Sequence, residues 1–167
     1  MKNFLKYSGI IACVLALVAF IMVCACDAMK TETTVLGKTY TTKTSGMDAI
    51  FAKGDCDGAD KALAGLFGFI FLLVAMVATI VGVVLPLIGK NMDAKIAGII
   101  NIAAAVLFIL GGILILCTKN SWCDANDLEE LKDDIDLTVE YAIAGVLAIL
   151  AGCCCLAPAA ADFMDKK

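Results

Sequence analysis

The sequence predicts an all-α membrane protein, in which four transmembrane helices form an antiparallel bundle and a single domain over residues 1–167. Two observations lead to this fold class. Hydrophobic residues make up 62% of the chain, whereas ordinary soluble domains are about 45–50% apolar. These residues fall into four long blocks, and nearly all charged residues lie in the gaps between the blocks. A soluble core cannot bury four apolar runs of this length, but a lipid bilayer can.

Each of the four apolar blocks is long enough to cross a bilayer. About 20 residues span the hydrocarbon core as a helix, and the blocks have no Asp, Glu, Lys or Arg in their interiors. A basic start followed by an apolar run is also typical of a signal peptide, but the first block is long for one, which favours an uncleaved helix. We therefore predict helices at about residues 7–26, 63–88, 96–117 and 139–161.

The positions of the lysines predict the orientation of these helices. Cytoplasmic segments of membrane proteins are enriched in Lys and Arg, and four spans place both termini and the short turn after Gly89 on one side. All three segments contain lysines, namely Lys2, Lys6, Lys90, Lys95, Lys166 and Lys167. The sequence thus predicts a multi-pass protein of the plasma membrane with cytoplasmic N- and C-termini. The outer loops are then residues 27–62 and 118–138.

The first outer loop is predicted to contain a small extracellular β-hairpin. The stretch Thr31–Thr42 is rich in β-branched and aromatic residues, and Gly37–Lys38 is a candidate turn. We expect a third short strand at Ala49–Ala52. Three carboxylates follow within residues 55–60. Oxygen ligands of this kind bind calcium, but a solvated acidic turn before a helix is the favoured interpretation.

The second outer loop is predicted to form a short acidic helix. Leu128, Leu131 and Ile135 recur at helical spacing within a run of carboxylates, and Asn126 or Asp127 is a candidate N-cap. We expect this helix to lie over the outer end of the bundle. Together with the acidic turn of the first loop, its carboxylates would form a negative patch that attracts cations or a basic partner.

Four of the nine cysteines lie at or beyond the predicted outer membrane surface: Cys26, Cys56, Cys117 and Cys123. That side of a plasma membrane is oxidising, and four cysteines allow three pairings, between which the sequence does not choose. We favour a disulfide between Cys56 and Cys123, which would join the two outer loops. The run Cys153–Cys155 lies in the fourth helix, where apolar filling is the favoured interpretation and acylation is the alternative.

Small and polar residues within the spans predict how the helices pack. Ala144, Ala148 and Gly152 recur at intervals of four, and such rows let helix backbones approach closely in lipid. We expect this row to pack helices within one chain, with contacts between chains as the alternative. Asn101 is the one strongly polar residue inside a span, and we expect it to form an interhelical hydrogen bond.

The composition argues against catalysis and against nucleic-acid binding. All 13 basic residues are Lys, and the chain has no His. His is the commonest metal ligand and general base, and a net charge of −4 does not suit a nucleic-acid partner. The spans also lack the ionisable groups that transporters and proton relays usually contain. We therefore predict a protein that is not an enzyme, with no catalytic residue, metal site or cofactor.

The order of the predicted elements is helix, long outer loop with β-structure, helix, tight turn, helix, shorter outer loop and helix. This order resembles the claudin-like tetraspan membrane proteins over the whole chain, as topology. The claudin first-loop signature of Trp, Gly-Leu-Trp and two cysteines is absent, since the sole Trp is Trp122 in the second loop. The Cys-Cys-Gly motif of tetraspanins is absent from that loop too, so no residue role is carried over. The Lys-only composition suits a small, uncharacterised bacterial membrane family.

Three functions remain open on this basis. The leading hypothesis is an integral membrane scaffold or interaction protein that presents a disulfide-tied outer cap. Its partners would be the lipid bilayer and another membrane protein or further copies of itself. The first alternative is an accessory subunit or small channel, with a polar path near Asn101 and Thr79 at interfaces between copies. The second is a four-helix thiol oxidoreductase that uses cysteines at the outer face, with Cys24, Cys26, Cys117 and Cys123 as the candidates.

Overall fold

The computed structural model describes residues 2–35, 38–53, 59–84 and 94–164. Four long helices are joined by short helices and strands. The elements follow in the order α1 (Lys2–Ala25), β1 (Asp27–Val35), β2 (Lys38–Ser45), α2 (Gly46–Phe51), α3 (Leu63–Thr79), α4 (Ala94–Leu116), α5 (Thr118–Ala125), β3 (Ile135–Leu137) and α6 (Val139–Met164).

The four predicted spans are confirmed as long apolar helices. Helices α1, α4 and α6 each contain a segment of 19 to 22 residues that is long and apolar enough to cross a membrane. The second such segment, Leu63–Val83, consists of α3 and most of the π-helical turn that follows it. Small residues fill the space between these helices, whereas large apolar side chains such as Leu73, Val77, Ile99, Val146 and Leu150 are exposed. Soluble proteins rarely expose apolar surface on this scale. The four helices therefore indicate a multi-pass membrane protein.

Pairs of glycines set the distances between neighbouring helices. Helix α4 packs against both α3 and α6, while α1 packs against α6 and, to a smaller extent, α3. A Cβ atom added to Gly112 of α4 would lie 2.6 Å from the carbonyl oxygen of Gly145 in α6. One added to Gly68 of α3 would lie 3.0 Å from the carbonyl oxygen of Gly111. The backbones thus touch directly at both crossings, as small residues permit in apolar surroundings.

The predicted row of small residues lies in the interior of the chain. Ala144 and Ala148 have no exposed surface, and Gly152 is buried as well. A Cβ atom on Gly152 would lie 2.8 Å from the carbonyl oxygen of Ala105 in α4. Gly152 therefore packs α6 against α4 within one chain, and the two alanines of the row are buried in the same chain.

The second spanning helix changes its winding before it reaches the end of its apolar block. Helix α3 is followed directly by a π-helix at Ile80–Val84, and π-helical turns inside helices often mark functional positions. The last predicted residues of this span, the proline at 86 and the tight turn after Gly89 fall within 85–93, which are outside the described residues. In α6, Pro158 lies inside the helix without ending it, as is tolerated in spanning helices.

The predicted hairpin is confirmed, and it is longer than expected. Strands β1 and β2 pair antiparallel, with Glu32 opposite Thr41 and Val35 opposite Lys38. A third strand, β3, comes from the second loop and pairs with β1, so that the strand order is β2-β1-β3. The sheet therefore joins the two loops.

The third strand expected at Ala49–Ala52 is wrong, because this segment belongs to helix α2. The hydroxyl oxygen of Ser45 accepts a hydrogen bond from the backbone N–H of Asp48 at 3.1 Å. It thereby satisfies one of the free donors of the first helical turn. The helix ends at Ala52, which has a left-handed φ of 50°. The N-cap hydrogen bond of Ser45 thus outweighs the strand propensity of the short apolar run that follows it.

The acidic helix expected over Asp127–Ile135 is wrong as well. The helix in this loop is α5, which lies earlier. Asp127 adopts a left-handed φ of 53°, and the N–H of Leu128 donates to the carbonyl oxygen of Cys123 at 2.9 Å. This is the hydrogen-bond pattern that ends helices, so Asp127 terminates α5 instead of starting a new helix. Only a single 3₁₀ turn, Glu129–Leu131, follows.

Candidate functional site: the junction between the cap and the long helices

The two loops fold together into one structure, which we call the cap and define as the described residues within 26–62 and 117–138. Its buried side chains belong to the same hydrophobic cluster as the interior of the long helices. The cap contributes Ala28, Met29, Ala49, Ile50, Cys123 and Ile135 to this cluster. Since one continuous core joins the cap and the helices, the cap is fixed to them rather than tethered by flexible linkers.

Thr138 makes hydrogen bonds that connect the start of α6 to the segment after α1. Its hydroxyl accepts a hydrogen bond from the backbone N–H of Tyr141 at 3.3 Å and donates one to the carbonyl oxygen of Asp27. Its own N–H donates to the carbonyl oxygen of Ala28 at 2.9 Å. Thr138 therefore caps the start of α6 and ties it to the segment that leaves α1. The signal in the sequence is a Thr directly before an apolar block. Hydrophobic periodicity does not reveal it.

We expect Thr138→Val to lower the free energy of unfolding by about 2 kcal/mol, since it removes an N-cap worth about 1 kcal/mol and leaves the partly buried carbonyl oxygen of Asp27 without its donor. Unfolding of the purified protein in mixed detergent micelles measures this loss. Thr138→Ser keeps the hydroxyl and is the matched control, which should stay close to the wild type. A Thr138→Val variant as stable as the wild type would show that the hydroxyl does not stabilise the junction.

Gly46 and Tyr141 form the tightest contact of the junction. The side chain of Tyr141 has no exposed surface, and its ring lies against Gly46 at the start of α2. A Cβ atom on Gly46 would lie 2.6 Å from Cε2 of Tyr141 and 2.6 Å from the carbonyl oxygen of Val23. The N–H of Gly46 also donates to the carbonyl oxygen of Cys26 at 3.0 Å. Only a residue without a side chain fits between α1, α2 and α6 here.

Two polar side chains fasten the start of α3 to α5. The hydroxyl oxygen of Ser121 accepts a hydrogen bond from the N–H of Ala64 at 3.1 Å, so that a residue of another loop caps α3. The Asn126 side chain accepts from the N–H of Asp60 at 2.7 Å and donates to the carbonyl oxygens of Asp60 and Trp122 at 3.0 and 2.9 Å. The N-cap predicted at Asn126 is wrong, because Asn126 lies at the C-cap of α5. Its side chain joins the first loop to the second.

The exposed surface of the cap carries ion pairs and many unpaired carboxylates. Lys132 Nζ lies 2.9 Å from Asp124 Oδ1, and Lys43 Nζ lies 3.4 Å from Asp27 Oδ2. The hydrogen bond that Lys132 donates to Asp124 raises the pKa of Lys132, so the ammonium keeps its charge to higher pH. Exposed pairs of this kind contribute little to stability. Their role lies in the charge that the surface presents.

The structure places three of the four predicted disulfide cysteines in or beside the cap as free thiols. Cys26, Cys117 and Cys123 are not bonded to one another. Cys56 lies outside the described residues, and so its pairing with Cys123 stays a prediction. Burial raises the pKa of the Cys123 thiol, and this effect exceeds the opposing influence of Lys119 and Lys132. A protonated, buried thiol is a poor nucleophile.

Asn101 and Thr79 lie inside the chain and not on its surface. Asn101 is 1% exposed, and among the described residues neither its amide nitrogen nor its amide oxygen has a hydrogen-bond partner. The expected interhelical hydrogen bond of Asn101 is therefore not formed within this part of the chain. Its side chain packs on Gly82 of the π-helix, where a Cβ atom would clash with Oδ1. Thr79 donates to the carbonyl oxygen of Ala75 at 2.8 Å, and its oxygen lies 3.7 Å from Sγ of Cys155.

No protein-family model matches the chain, and a comparison with curated proteins finds no match either. The function therefore has to be inferred from the cap, its junction with the long helices and the surface that it exposes.

Proposed function

We propose that this chain is a multi-pass membrane protein that acts as a scaffold: an antiparallel four-helix bundle holds a rigid cap at the outer face of the plasma membrane for recognition by other proteins. The termini lie in the cytoplasm, as the lysine distribution favours. The observation that carries this proposal is the junction, where one core and the hydrogen bonds of Thr138 join cap and helices. A rigid support reduces the ordering cost of binding. The resemblance to claudin-like proteins agrees with this role as topology alone.

The surface of the cap suits recognition of a partner. Strand β2 is exposed along most of its length, and Tyr40, its third residue, is 58% exposed. Aromatic residues are enriched where proteins bind one another. By contrast, the long helices expose aliphatic side chains, which suit lipid.

The two alternative functions have less support. A channel that runs between copies needs polar residues on the outside of the chain, whereas Asn101 and Thr79 are both buried. A thiol oxidoreductase of the predicted kind needs two accessible thiols at the outer face. Cys117 is exposed, whereas Cys123, which would form the dithiol with it, is buried and the pKa of its thiol is raised.

Photo-crosslinking in intact membranes tests the proposal. We would replace Tyr40 by the photoreactive residue p-benzoylphenylalanine and, as the matched control, place the same residue at Leu150, which is exposed on α6. We expect protein adducts of defined mass from position 40 and lipid adducts from position 150. The same adducts from both positions, or no protein adduct from position 40, would overturn the proposal. Solute flux through liposomes that contain only the purified chain would also overturn it.

A further inference from the structure

The outer half of the hairpin is a ribbon of two strands. Strand β3 pairs only with Met29, Lys30 and Thr31 of β1, whereas the pairing of β1 with β2 continues to Val35 and Lys38. Within the described residues, Glu32–Val35 therefore have β2 on one side and no strand on the other. Two-stranded ribbons are at best marginally stable in water. The position beside Glu32–Val35 is open to a further strand.

The backbone groups of β1 show which residues would bind such a strand. The N–H of Thr138 donates to the carbonyl oxygen of Ala28, and hydrogen-bonded positions recur at every second residue of an antiparallel pair. Lys30 consequently directs its N–H and C=O towards β3. By the same alternation, Glu32 and Thr34 direct theirs to that side, beyond the end of β3.

Strand β2 has free backbone groups on its opposite side. Thr41 pairs with Glu32, and Thr39 pairs with Thr34. The N–H and C=O groups of Glu32 and Thr34 point away from β2. In an antiparallel ladder, both members of such a pair point outward. Among the described residues, no strand pairs with this side of Thr39, Thr41 and Lys43, so their donors and acceptors lie along an edge of the kind that binds another strand.

The two sides of the hairpin differ in charge. Strand β2 contains Lys38 and Lys43 and no carboxylate. The opposite side presents Glu32 on β1 and, around β3, the exposed residues Asp134 and Asp136. Lys30 of β1 lies 3.3 Å from Glu32 and 3.9 Å from Asp136, and Asp27 lies 3.4 Å from Lys43. Three carboxylates against one ammonium group leave the side of β3 negative, and two ammonium groups against one carboxylate leave the side of β2 positive. The basic edge of one molecule is therefore complementary in charge to the acidic side of another. Pairing of two β2 edges would instead bring lysines together, which is unfavourable.

We propose that copies of the protein associate head to tail through this hairpin. Strand β2 of one copy adds beside Glu32–Val35 of the next, so that the two sheets become continuous. This inference rests on the proposed scaffold function and names the partner of the cap as a second copy of this chain. Because the two surfaces are different, each copy binds a neighbour on either side, and the assembly is a ring or a chain rather than a closed pair.

Two proline variants test this assembly, since each removes one outward N–H and leaves the pairing of β1 with β2 intact. Thr41→Pro blocks the β2 edge, and Thr34→Pro blocks the open side of β1. Thr41→Val and Thr34→Val keep the N–H and are the controls. The readout is the distribution of crosslinked species of tagged proteins in bilayers of defined protein density.

We expect the wild type and both valine controls to form dimers and larger species. Each proline variant alone should lose about tenfold of this association, equivalent to about 1.4 kcal/mol. A mixture of the two should form mixed dimers and nothing larger, because each variant supplies the surface that the other lacks. This rescue also shows that both variants are folded.

Three results would overturn the inference: a monomeric wild type at every density, unchanged association of the proline variants, or a mixture in which mixed dimers are no more abundant than the homodimers of each proline variant. None of these results affects the proposed function. That proposal fails only if position 40 gives no protein adduct that is absent from position 150, or if the purified chain alone transports solute. An adduct with a different protein, together with a monomeric wild type, would overturn the inference and support the scaffold function.

Discussion

Gly112→Ala is expected to destabilise the protein strongly. The added Cβ atom would lie 2.6 Å from the carbonyl oxygen of Gly145 and 2.7 Å from Cγ1 of Ile149. The first of these atoms belongs to the backbone of α6, so α4 and α6 must move apart. Overpacking of this kind costs about 1–3 kcal/mol. The loss would be measured as a lower free energy of unfolding in mixed micelles.

The neighbouring residue provides the control. A Cβ atom on Gly111 would lie 3.2 Å from the carbonyl oxygen of Gly68 and 3.3 Å from Cβ of Phe71, which a small shift can relieve. Alanine also favours a helix over glycine by about 1 kcal/mol, so Gly111→Ala should be close to neutral. Similar effects of the two substitutions would show that the glycine contact with α6 does not set the distance between the helices.

Gly46→Ala is expected to be the most damaging substitution in the cap. The new methyl group would meet the ring of Tyr141 and the carbonyl oxygen of Val23, both at 2.6 Å. Tyr141 is enclosed by the core and cannot turn away, so α2 must leave its place between α1 and α6. We expect a loss of about 3 kcal/mol, together with faster amide hydrogen exchange over Gly46–Phe51.

Ser45→Ala is the matched control for Gly46→Ala, since it alters the adjacent residue without adding atoms. It removes the N-cap of α2 and should cost about 1 kcal/mol, with little change in amide exchange outside this helix. If Gly46→Ala were no worse than Ser45→Ala, the close contact with Tyr141 would not be what fixes the cap.

The parts of the fold that were predictable depend on patterns within short segments. The spans are uninterrupted apolar runs, and their predicted limits agree closely with the structure, as for residues 96–117 against Ala94–Leu116. The hairpin follows from a β-branched stretch around a glycine. In both cases the deciding interaction is local or is made with the surrounding solvent, and so it is visible in the sequence.

The junction was not predictable, because its contacts join residues that are far apart in the chain. Asp27 and Thr138 are 111 residues apart. Leu128, Leu131 and Ile135 recur at helical spacing, but Ile135 lies in β3 because it pairs with Thr31 of β1. In the same way, nothing near Gly46 in the sequence indicates that an aromatic ring from the last helix will lie against it. Tertiary contacts decide these positions and override the local pattern.

The third strand also determines when the cap is completed during synthesis. Strands β1 and β2 are made directly after the first spanning helix, whereas β3 and Thr138 are made only after α3 and α4. The nascent chain therefore carries an unfinished hairpin while two further helices enter the membrane. Thr138, which ties the hairpin to the start of the last helix, is also the N-cap residue of α6. A chain that stops after α4 therefore lacks both β3 and the hydrogen bonds of Thr138, and it leaves the sheet incomplete.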